Sequence, residues 1–298
     1  MDHRAFVSRL PDSLMLHLTA RSDRAGLCHL AGHLGLILLG GVWIGAGWPL
    51  WQAVLPLQGI ALVFLFTLEH EATHKTPFAT EALNEWVGRL AGLVILLPFE
   101  WFRYFHLAHH RHTNIPGKDP ELAGGGAPRT WPAYLLYASG LRYWVEGVRQ
   151  LVVNAAGGDT GAFVPERARA RIRREARWML SGYGLALGTL AVSPLLFWVW
   201  LLPMILGQPF LRLYLLAEHG RCALVANMFE NTRTTLTNRA IRFLAWNMPF
   251  HTEHHTLPMV PFHHLPRLHT EMRPYLQETA PGYAAFTRAY ASHLGSVR

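Results

Sequence analysis

Two long stretches of the chain carry almost no charged residues. Residues 25–68 contain no Asp, Glu, Lys or Arg, and residues 178–217 contain only Arg212. Each stretch is about 40 residues long, whereas one helical pass through a membrane needs about 20 apolar residues. Gly and Pro occur near the middle of each stretch, at positions 45–49 and 193–194, where a helical hairpin would reverse. The pattern predicts two transmembrane hairpins, at about residues 25–69 and 178–218.

The alternative interpretation of these stretches is a set of buried helices in a soluble protein. Soluble helices rarely continue this far without a charged face. In addition, only 15% of the residues are charged, against about 25% in soluble proteins. We therefore expect an all-α integral membrane protein with four transmembrane helices. A shorter apolar stretch at residues 90–98 is too brief to cross and is expected to lie along or dip into the membrane.

Positive charge collects between the two predicted hairpins. Residues 69–177 contain 14 Lys and Arg, six of them at positions 167–177. The positive-inside rule places this segment in the cytoplasm, and two hairpins then bring both termini to the same side. The N-terminal sequence lacks the layout of a cleaved signal peptide, so the first hairpin is expected to remain as an anchor. The predicted organisation is a single domain, residues 1–298, with cytoplasmic segments at about 70–177 and 219–298.

The net charge of +8 raises the question of a nucleic-acid partner. The arginines flank apolar runs and do not form a separate basic domain, so no nucleic acid is expected. Anionic membrane lipids and an acidic protein partner explain them better. Cys28 and Cys222 lie far apart without a C-x-x-C pair, and no disulfide framework is implied.

Histidine is frequent in this chain, and its spacing is regular. Three groups have the spacing H-x-x-x-H or H-x-x-H-H, at which the side chains project from one face of a helix. Neighbouring histidines in a doublet lie about 100° apart around the helix axis and can serve two different metals. The three groups are His70 and His74; His106, His109 and His110; and His251, His254 and His255.

A ninth histidine, His219, ends the fourth predicted helix at the membrane face where His70 ends the second. One tetrahedral zinc cannot use so many ligands. Nine neutral imidazoles are about what two iron ions need when positions are left open for oxygen. The predicted ligand set is therefore the eight histidines of the three groups together with His219. Most other histidines are expected to have structural roles, including His29 and His33 inside the first hairpin and His269 near the C-terminus.

The first group also allows a different chemistry. His70-Glu71-Ala72-Thr73-His74 fits the H-E-x-x-H signature of zinc proteases, in which Glu71 would activate water for peptide hydrolysis. An intramembrane protease of this kind would not need the later histidines. A metal transporter or haem-binding membrane protein is disfavoured, because the histidines lie at the predicted membrane edge and not within the membrane.

The three histidine boxes, in this order, resemble those of the membrane fatty-acid desaturase and hydroxylase superfamily, which also includes carotenoid ketolases and hydroxylases and alkane hydroxylases. The resemblance extends from the first hairpin to about His269. It implies a four-helix membrane stem, a cytoplasmic helical cap that carries the boxes, and a non-haem di-iron centre with His219 as an additional ligand. One departure is Glu71, since many acyl-lipid desaturases have Asp after the first histidine.

The resemblance also implies an activity and its partners. We expect O2-dependent oxidation of an unactivated C–H bond in a lipid chain, with fatty acyl desaturation as the first candidate. Hydroxylation, oxidative decarboxylation to an alkene, and carotenoid ketolation or hydroxylation are alternatives. The chain lacks a His-Pro-Gly-Gly haem signature, so electrons are expected from a separate donor such as a ferredoxin, a rubredoxin or a cytochrome. The expected location is a bacterial inner membrane.

Acidic residues next to the boxes are candidates for orienting the imidazoles, because metal-bound histidines usually donate their second ring N–H to a carboxylate or carbonyl. Three of them adjoin a predicted ligand directly, and two follow the second box. Asn114, Asn227 and Asn247 are weaker polar candidates. The acidic candidates are Glu71, Glu218, Glu253, Asp119 and Glu121.

Aromatic residues precede the second and third boxes. They are candidates for the wall of an apolar substrate channel, although anchoring at the membrane interface explains the tryptophans equally well. The five aromatic candidates are Trp101, Phe102, Phe105, Trp246 and Phe250.

Overall fold

The computed structural model describes residues 1–295, and this part of the chain is mostly helical. The last three positions of the predicted 219–298 segment lie outside the described residues. The helices are α1 (His3–Val7), α2 (Asp12–Leu18), α3 (Asp23–Gly45), α4 (Trp51–Val63), α5 (Leu65–Thr73), α6 (Glu81–Ile95), α7 (Phe99–His112), α8 (Trp131–Ala138), α9 (Leu141–Ala156), α10 (Glu166–Gly188), α11 (Leu202–His219), α12 (Met228–Asn231), α13 (Arg239–Leu244), α14 (His251–Thr256), α15 (Leu265–Met272) and α16 (Tyr283–Ala291). Short 3-10 turns span Pro120–Gly124 and Thr189–Ala191, and a π turn, Phe197–Leu201, precedes α11.

Three helical segments are long and apolar enough to cross a membrane: Asp12–Gly45, Trp51–Thr73 and Phe197–His219. A fourth candidate is the pair α6 and α7, which are bent by 99° relative to each other and form either a broken span or a re-entrant loop. The expectation of an all-α integral membrane protein is therefore confirmed in part, because residues 1–295 are mostly helical and contain three or four candidate spans.

The predicted second hairpin differs from what the structure contains. Only its second half, which includes α11, is a candidate span. Its first half belongs to α10, which begins twelve positions earlier than expected, at Glu166. Six arginines occupy the first half of α10, and the apolar run that begins in its second half continues past the helix through the turns Thr189–Ala191 and Phe197–Leu201.

The helix pair α4 and α11 crosses at two glycines. A Cβ atom at Gly59 would lie 2.1 Å from the carbonyl oxygen of Pro203, and one at Gly207 would lie 2.3 Å from the carbonyl oxygen of Gly59. The two backbones therefore touch, as small residues allow in membrane helices. This crossing matters for the rest of the structure because α4 leads into α5, which carries His70, and α11 ends at His219.

The bend between α6 and α7 leaves the carbonyl groups at the end of α6 without helical partners. Side chains from three different segments donate to these carbonyls. The Tyr183 hydroxyl donates to Leu93 at 2.6 Å, the Trp200 indole N–H donates to Val94 at 2.9 Å, and the Tyr143 hydroxyl donates to the carbonyl of residue 95. A bent helix end inside apolar surroundings is stable only when its backbone groups are satisfied in this way.

A buried histidine connects the first hairpin to the segment before α14. The Trp246 indole N–H donates to Nδ1 of His33 at 3.1 Å, and Nε2 of His33 is 2.8 Å from the carbonyl oxygen of Ala61. Because an indole N–H can only donate, His33 accepts at Nδ1 and donates from Nε2. Both His33 and Trp246 are fully buried, so this connection holds the segment that leads to His251 against α3 and α4.

A short sheet ties the C-terminal part of the chain to the same segment. β1 (Thr234–Thr235) pairs in parallel with β2 (Thr279–Ala280), with Thr234 opposite Thr279. The region between these strands contains α14, which is buried along its whole length. The pairing therefore closes the part of the chain that contains α14 into a loop.

Candidate metal centre

Four helices bring the nine predicted ligands together. Box one lies at the end of α5, box two on α7 and box three on α14, while His219 is the last residue of α11. Helical spacing explains the local arrangement, because residues three and four apart share a face. The nine imidazoles lie together although their positions span residues 70–255.

Five histidines from all three boxes form one group. Each offers a ring nitrogen, and these five atoms all lie within 4.8 Å of one another. Nε2 of His70 is 2.7 Å from Nε2 of His254, and Nε2 of His74 is 2.9 Å from Nε2 of His106. The group consists of His70, His74, His106, His110 and His254.

A second group lies beside the first. It consists of His109, His219 and His255, whose ligand atoms are also within 4.8 Å of one another. Nε2 of His109 is 3.3 Å from Nε2 of His219, and Nε2 of His251 is 3.1 Å from the same His219 atom. His251 therefore adjoins this group. Each doublet is divided between the groups, as the angle of about 100° between neighbouring helical residues allows.

The donor set fits metal ions on three counts. Nitrogen ligands about 2.1 Å from one ion are separated by roughly 3.0–3.4 Å when they subtend angles between 90° and tetrahedral, which is close to the separations observed. Both ring nitrogens of His110, and Nε2 of His255, are buried without a hydrogen-bond partner among residues 1–295. Burial also holds the pKa of His251, His254 and His255 well below the usual value, which keeps them in the neutral form that binds metal.

Four of the five candidate carboxylates lie close to Nδ1 of a cluster histidine, and the most distant of them is Glu121, which lies 3.7 Å from Nδ1 of His109. Asp119 makes the closest contact, with its two oxygens 3.0 and 3.1 Å from Nδ1 of His109. Burial raises the pKa of Asp119, but hydrogen bonds from His109 and from two backbone N–H groups outweigh it and keep the pKa below its usual range. Glu218 lies 3.3 Å from Nδ1 of His251, and Glu71 lies 3.6 Å from Nδ1 of His254.

Glu253 is placed differently from the prediction. Its carboxylate accepts from the Thr234 hydroxyl at 2.6 Å and lies 2.5 Å from Nδ1 of His269, which is not a predicted ligand. The reason is helical geometry, because position 253 lies about 100° from 254 and about 200° from 251 around α14. Glu253 therefore fastens α14 to β1 and α15 and does not orient a cluster imidazole.

Two further residues that support the cluster were not predicted from the sequence. The Thr113 hydroxyl lies 3.1 Å from Nδ1 of His255, and the backbone carbonyl of Asn231 lies 3.1 Å from Nδ1 of His219. The Asn114 amide, a weaker candidate from the sequence, donates to that same carbonyl at 2.9 Å. A contact made by a backbone carbonyl cannot be predicted from the residue type. Thr113, by contrast, could have been considered as a candidate, because it lies one turn after His109.

The five predicted channel aromatics do not form one wall. Phe102 stacks against His106, with ring centroids 5.4 Å apart, and against Phe105, which also stacks with Trp101. Trp101 and Phe105 pack against Phe163 as well. The other two aromatic residues precede α14 in the chain and have different neighbours. Trp246 is fully buried and bonded to His33, and Phe250 packs against His269.

A cleft of about 1800 Å³ opens from the surface toward the second histidine group. Asp119 and His219 form part of its inner wall. Five cationic side chains also line it, so the cleft is basic as well as large. These are Arg111, Lys118, Arg129, Arg167 and Arg221.

Comparison with known proteins agrees with this geometry. A family model for fatty acid desaturases matches residues 46–287, a segment that contains all nine histidines. The chain belongs to the fatty acid desaturase family. Membership agrees with the candidate membrane spans of residues 1–295.

Three relatives illustrate how far the similarity reaches. The sn-1 oleoyl-lipid 12-desaturase of Arthrospira platensis is 32% identical over 84 residues, covering 27% of this chain and 24% of the relative. The Delta(12) fatty acid desaturase of Mortierella alpina is 28% identical over 122 residues, covering 38% and 30%. The chloroplastic omega-6 fatty acid desaturase of Spinacia oleracea is 23% identical over 239 residues, covering 74% and 53%. The matched segments span between about a quarter and about half of each desaturase relative.

Proposed function

We propose that this desaturase family member holds two iron ions in its paired histidine groups and uses O2 to oxidise an unactivated C–H bond of a fatty acyl chain, with desaturation as the reaction. The division of eight histidines into two adjoining groups, with His251 beside the second, is the observation that carries this proposal. His70, His74, His106, His110 and His254 would hold one ion, and His109, His219, His251 and His255 the other. Non-haem iron would supply the oxidant for hydrogen removal, which no side chain provides.

The protein's own residues orient these imidazoles. Asp119 is within hydrogen-bond distance of Nδ1 of His109, and such a carboxylate acceptor keeps the proton on Nδ1 and leaves Nε2 free for a metal. Glu218 and Glu71 lie 3.3 and 3.6 Å from Nδ1 of His251 and His254, without a hydrogen bond to them. Phe102 stacks against His106, and His70, His106 and His254 are buried, so these surroundings limit the access of water to the first group. Exclusion of water protects a reactive centre from side reactions.

The contacts of Glu71 argue against the protease alternative. Both of its oxygens are buried, and one of them accepts from the Thr76 hydroxyl at 2.9 Å and the backbone N–H of Phe262 at 3.2 Å. A carboxylate held in this way is not positioned to activate a water for peptide hydrolysis. In addition, His70 and His74 share their group with histidines of the later boxes.

We also propose that the chain is a single membrane domain with its histidine-bearing segments and both termini on the cytoplasmic side of a bacterial inner membrane. The four-helix stem of the family and the arginines of α10 support this orientation, because positive residues favour the cytoplasmic side. Electrons would come from a separate donor of the ferredoxin, rubredoxin or cytochrome type.

The proposed function is tested by metal and product analysis. We expect the purified protein to contain two irons per chain and a host that expresses it to accumulate unsaturated acyl chains when O2 and the host's electron donors are present. Carotenoids supplied to the same host are expected to remain unchanged. One zinc per chain without iron, or hydroxylated or ketolated carotenoid as the product, would contradict the proposal.

Replacing Asp119 tests whether this carboxylate supports metal binding by the second histidine group. Asp119→Asn places an amide N–H₂ where the carboxylate now accepts from His109 and from the backbone N–H groups of Asn114 and Glu121. We expect iron affinity to fall by about 10- to 100-fold, the usual cost of losing such a partner. Glu146→Gln on the exposed side of α9 is the matched control, and both variants are titrated with ferrous iron. Equal affinities would rule out this role for Asp119.

A further inference from the structure

Three neighbouring arginines of α10 have no acidic partner. Elsewhere in the first half of this helix Arg169 forms an ion pair with Glu166 at 2.9 Å, and Arg171 lies 3.9 Å from Glu100. Further along, three exposed arginines have no carboxylate of residues 1–295 within ion-pair distance: Arg173, Arg174 and Arg177. Like charges this close on one helix repel each other, so an anionic ligand between them would be stabilised.

The three arginines face a common surface cavity of about 500 Å³. Its lining contains no acidic residue and ends on an indole and a hydroxyl, both of which donate hydrogen bonds. The positions are spaced so that they share one side of α10. The lining residues are Ala170, Arg173, Arg174, Arg177, Trp178 and Ser181.

The C-terminal end of α9 holds two of these arginines in place. Nε of Arg177 donates to the carbonyl oxygen of Ala155 at 2.9 Å. The guanidinium of Arg173 packs on Gly157, where a Cβ atom would lie 2.7 Å from Nε of Arg173. A helix C-terminus carries only partial negative charge, and these contacts leave the remaining guanidinium N–H groups available. The end of α9 therefore orders the arginines without neutralising them.

The exposed side of α9 has an apolar stripe beside a polar one. Every member of the apolar stripe is at least 50% exposed, and the members are three or four residues apart: Leu141, Val145, Val148 and Val152. The polar stripe lies about 100° further around the helix and consists of Arg142, Glu146 and Arg149. Helices with this division lie in the plane of a membrane interface, with the apolar stripe toward the acyl chains.

The cavity lies where α10 changes from charged to apolar. From position 178 to the end of this helix there is no charged residue, and Leu185 and Leu187 are 77% and 54% exposed. Trp178, which is 73% exposed, stands at the boundary, and tryptophan is enriched at the level of lipid headgroups. Arg173, Arg174 and Arg177 are therefore placed at the depth of the lipid phosphates.

From these observations we infer that Arg173, Arg174, Arg177 and Trp178 form a binding site for the headgroup phosphate of an anionic phospholipid. A guanidinium binds a phosphate through two parallel hydrogen bonds, and arginine clusters on amphipathic helices attract anionic lipids. The acyl chains of the lipid would lie against the exposed apolar side chains of α9 and α10. The site is separate from the histidine groups and does not depend on the proposed reaction.

The charge of the site favours one class of lipid. Phosphatidylglycerol carries a phosphate and no amine, so its net charge is negative. Phosphatidylcholine carries the same phosphate together with a quaternary ammonium group, which the three arginines would repel. We therefore expect the site to select anionic over zwitterionic phospholipids.

Native mass spectrometry of the full chain in a non-ionic detergent, titrated with dioleoyl phosphatidylglycerol or dioleoyl phosphatidylcholine, tests the site. We expect the phosphatidylglycerol to bind at least about tenfold more tightly. Arg174→Gln is expected to weaken its binding about fivefold, and replacing all three arginines by glutamine on the order of 100-fold, since one arginine near a membrane surface contributes about a factor of five. Neither change is expected to alter phosphatidylcholine binding.

Arg169→Gln is the matched control, because it removes the same charge from the same helix outside the cavity. It is expected to leave phosphatidylglycerol binding unchanged. Arg174 makes no hydrogen bond or ion pair within residues 1–295, so its replacement tests the site without disturbing the contacts of α9. His254→Ala is expected to retain the lipid, which separates this site from the iron proposal.

Three outcomes would overturn the assignment. The first is equal affinity for the two phospholipids, and the second is an Arg169→Gln variant that loses phosphatidylglycerol as strongly as Arg174→Gln does. The third is displacement of the lipid by an excess of inorganic phosphate, which would make this a site for the free anion and not for a lipid headgroup.

Discussion

Replacing His254 by alanine is expected to remove at least one of the two irons and to lower turnover by more than about 100-fold, since even the loss of a supporting residue costs 10- to 100-fold. His254 is fully buried, and its Nε2 lies 2.7 Å from Nε2 of His70. It therefore joins box three to box one. Iron per chain and the rate of product formation, measured on the same preparation, are the two readouts.

The neighbouring residue provides a second arm of this experiment. His255→Ala removes a nitrogen from the other histidine group and is expected to reduce iron content and activity in the same way. His112→Ala is the control, because His112 lies on α7 two positions after His110 and belongs to neither group. Full activity in His254→Ala, together with complete loss in Glu71→Gln, would favour hydrolytic zinc chemistry over the iron pair.

Introducing a methyl group at the α4–α11 crossing is expected to cause the largest loss of stability. In Gly59→Ala the new Cβ would lie 2.1 Å from the carbonyl oxygen of Pro203. A backbone carbonyl cannot rotate away from this contact as a side chain can. We expect the free energy of unfolding to fall by about 3 kcal/mol, the upper part of the usual range for overpacking. That is a large share of a total stability of about 5–15 kcal/mol.

Moving α4 and α11 apart would also displace two of the histidines, because α4 leads to His70 and α11 ends at His219. Iron content of Gly59→Ala is therefore expected to fall along with stability, as measured by denaturant titration in detergent. Gly184→Ala on α10 is the matched control, since no atom lies within 4 Å of its added Cβ. It is expected to be neutral or to stabilise by up to about 1 kcal/mol. A Gly59→Ala variant as stable as this control would refute the close crossing.

Predictions that depended on local sequence agree best with the structure. The charge-free residues 25–68 correspond to α3, α4 and the start of α5, and the chain reverses at residues 46–50 beside Gly47, whose φ is +64°. Prediction was poorer for α10. The apolar run beginning at residue 178 suggested a span there, but the arginines before it are good helix formers and belong to the same helix.

The sequence by itself determined that apolar helices of membrane length are present and that the histidines of each box share a helix face, because hydrophobic runs and helical spacing are local properties of the chain. Only the tertiary structure decided which histidines group together and that Asp119 and not Glu253 contacts a cluster imidazole. These outcomes depend on which elements pack together, such as α7 against α11 and α14 against α15, and spacing within one helix carries no information about its neighbours.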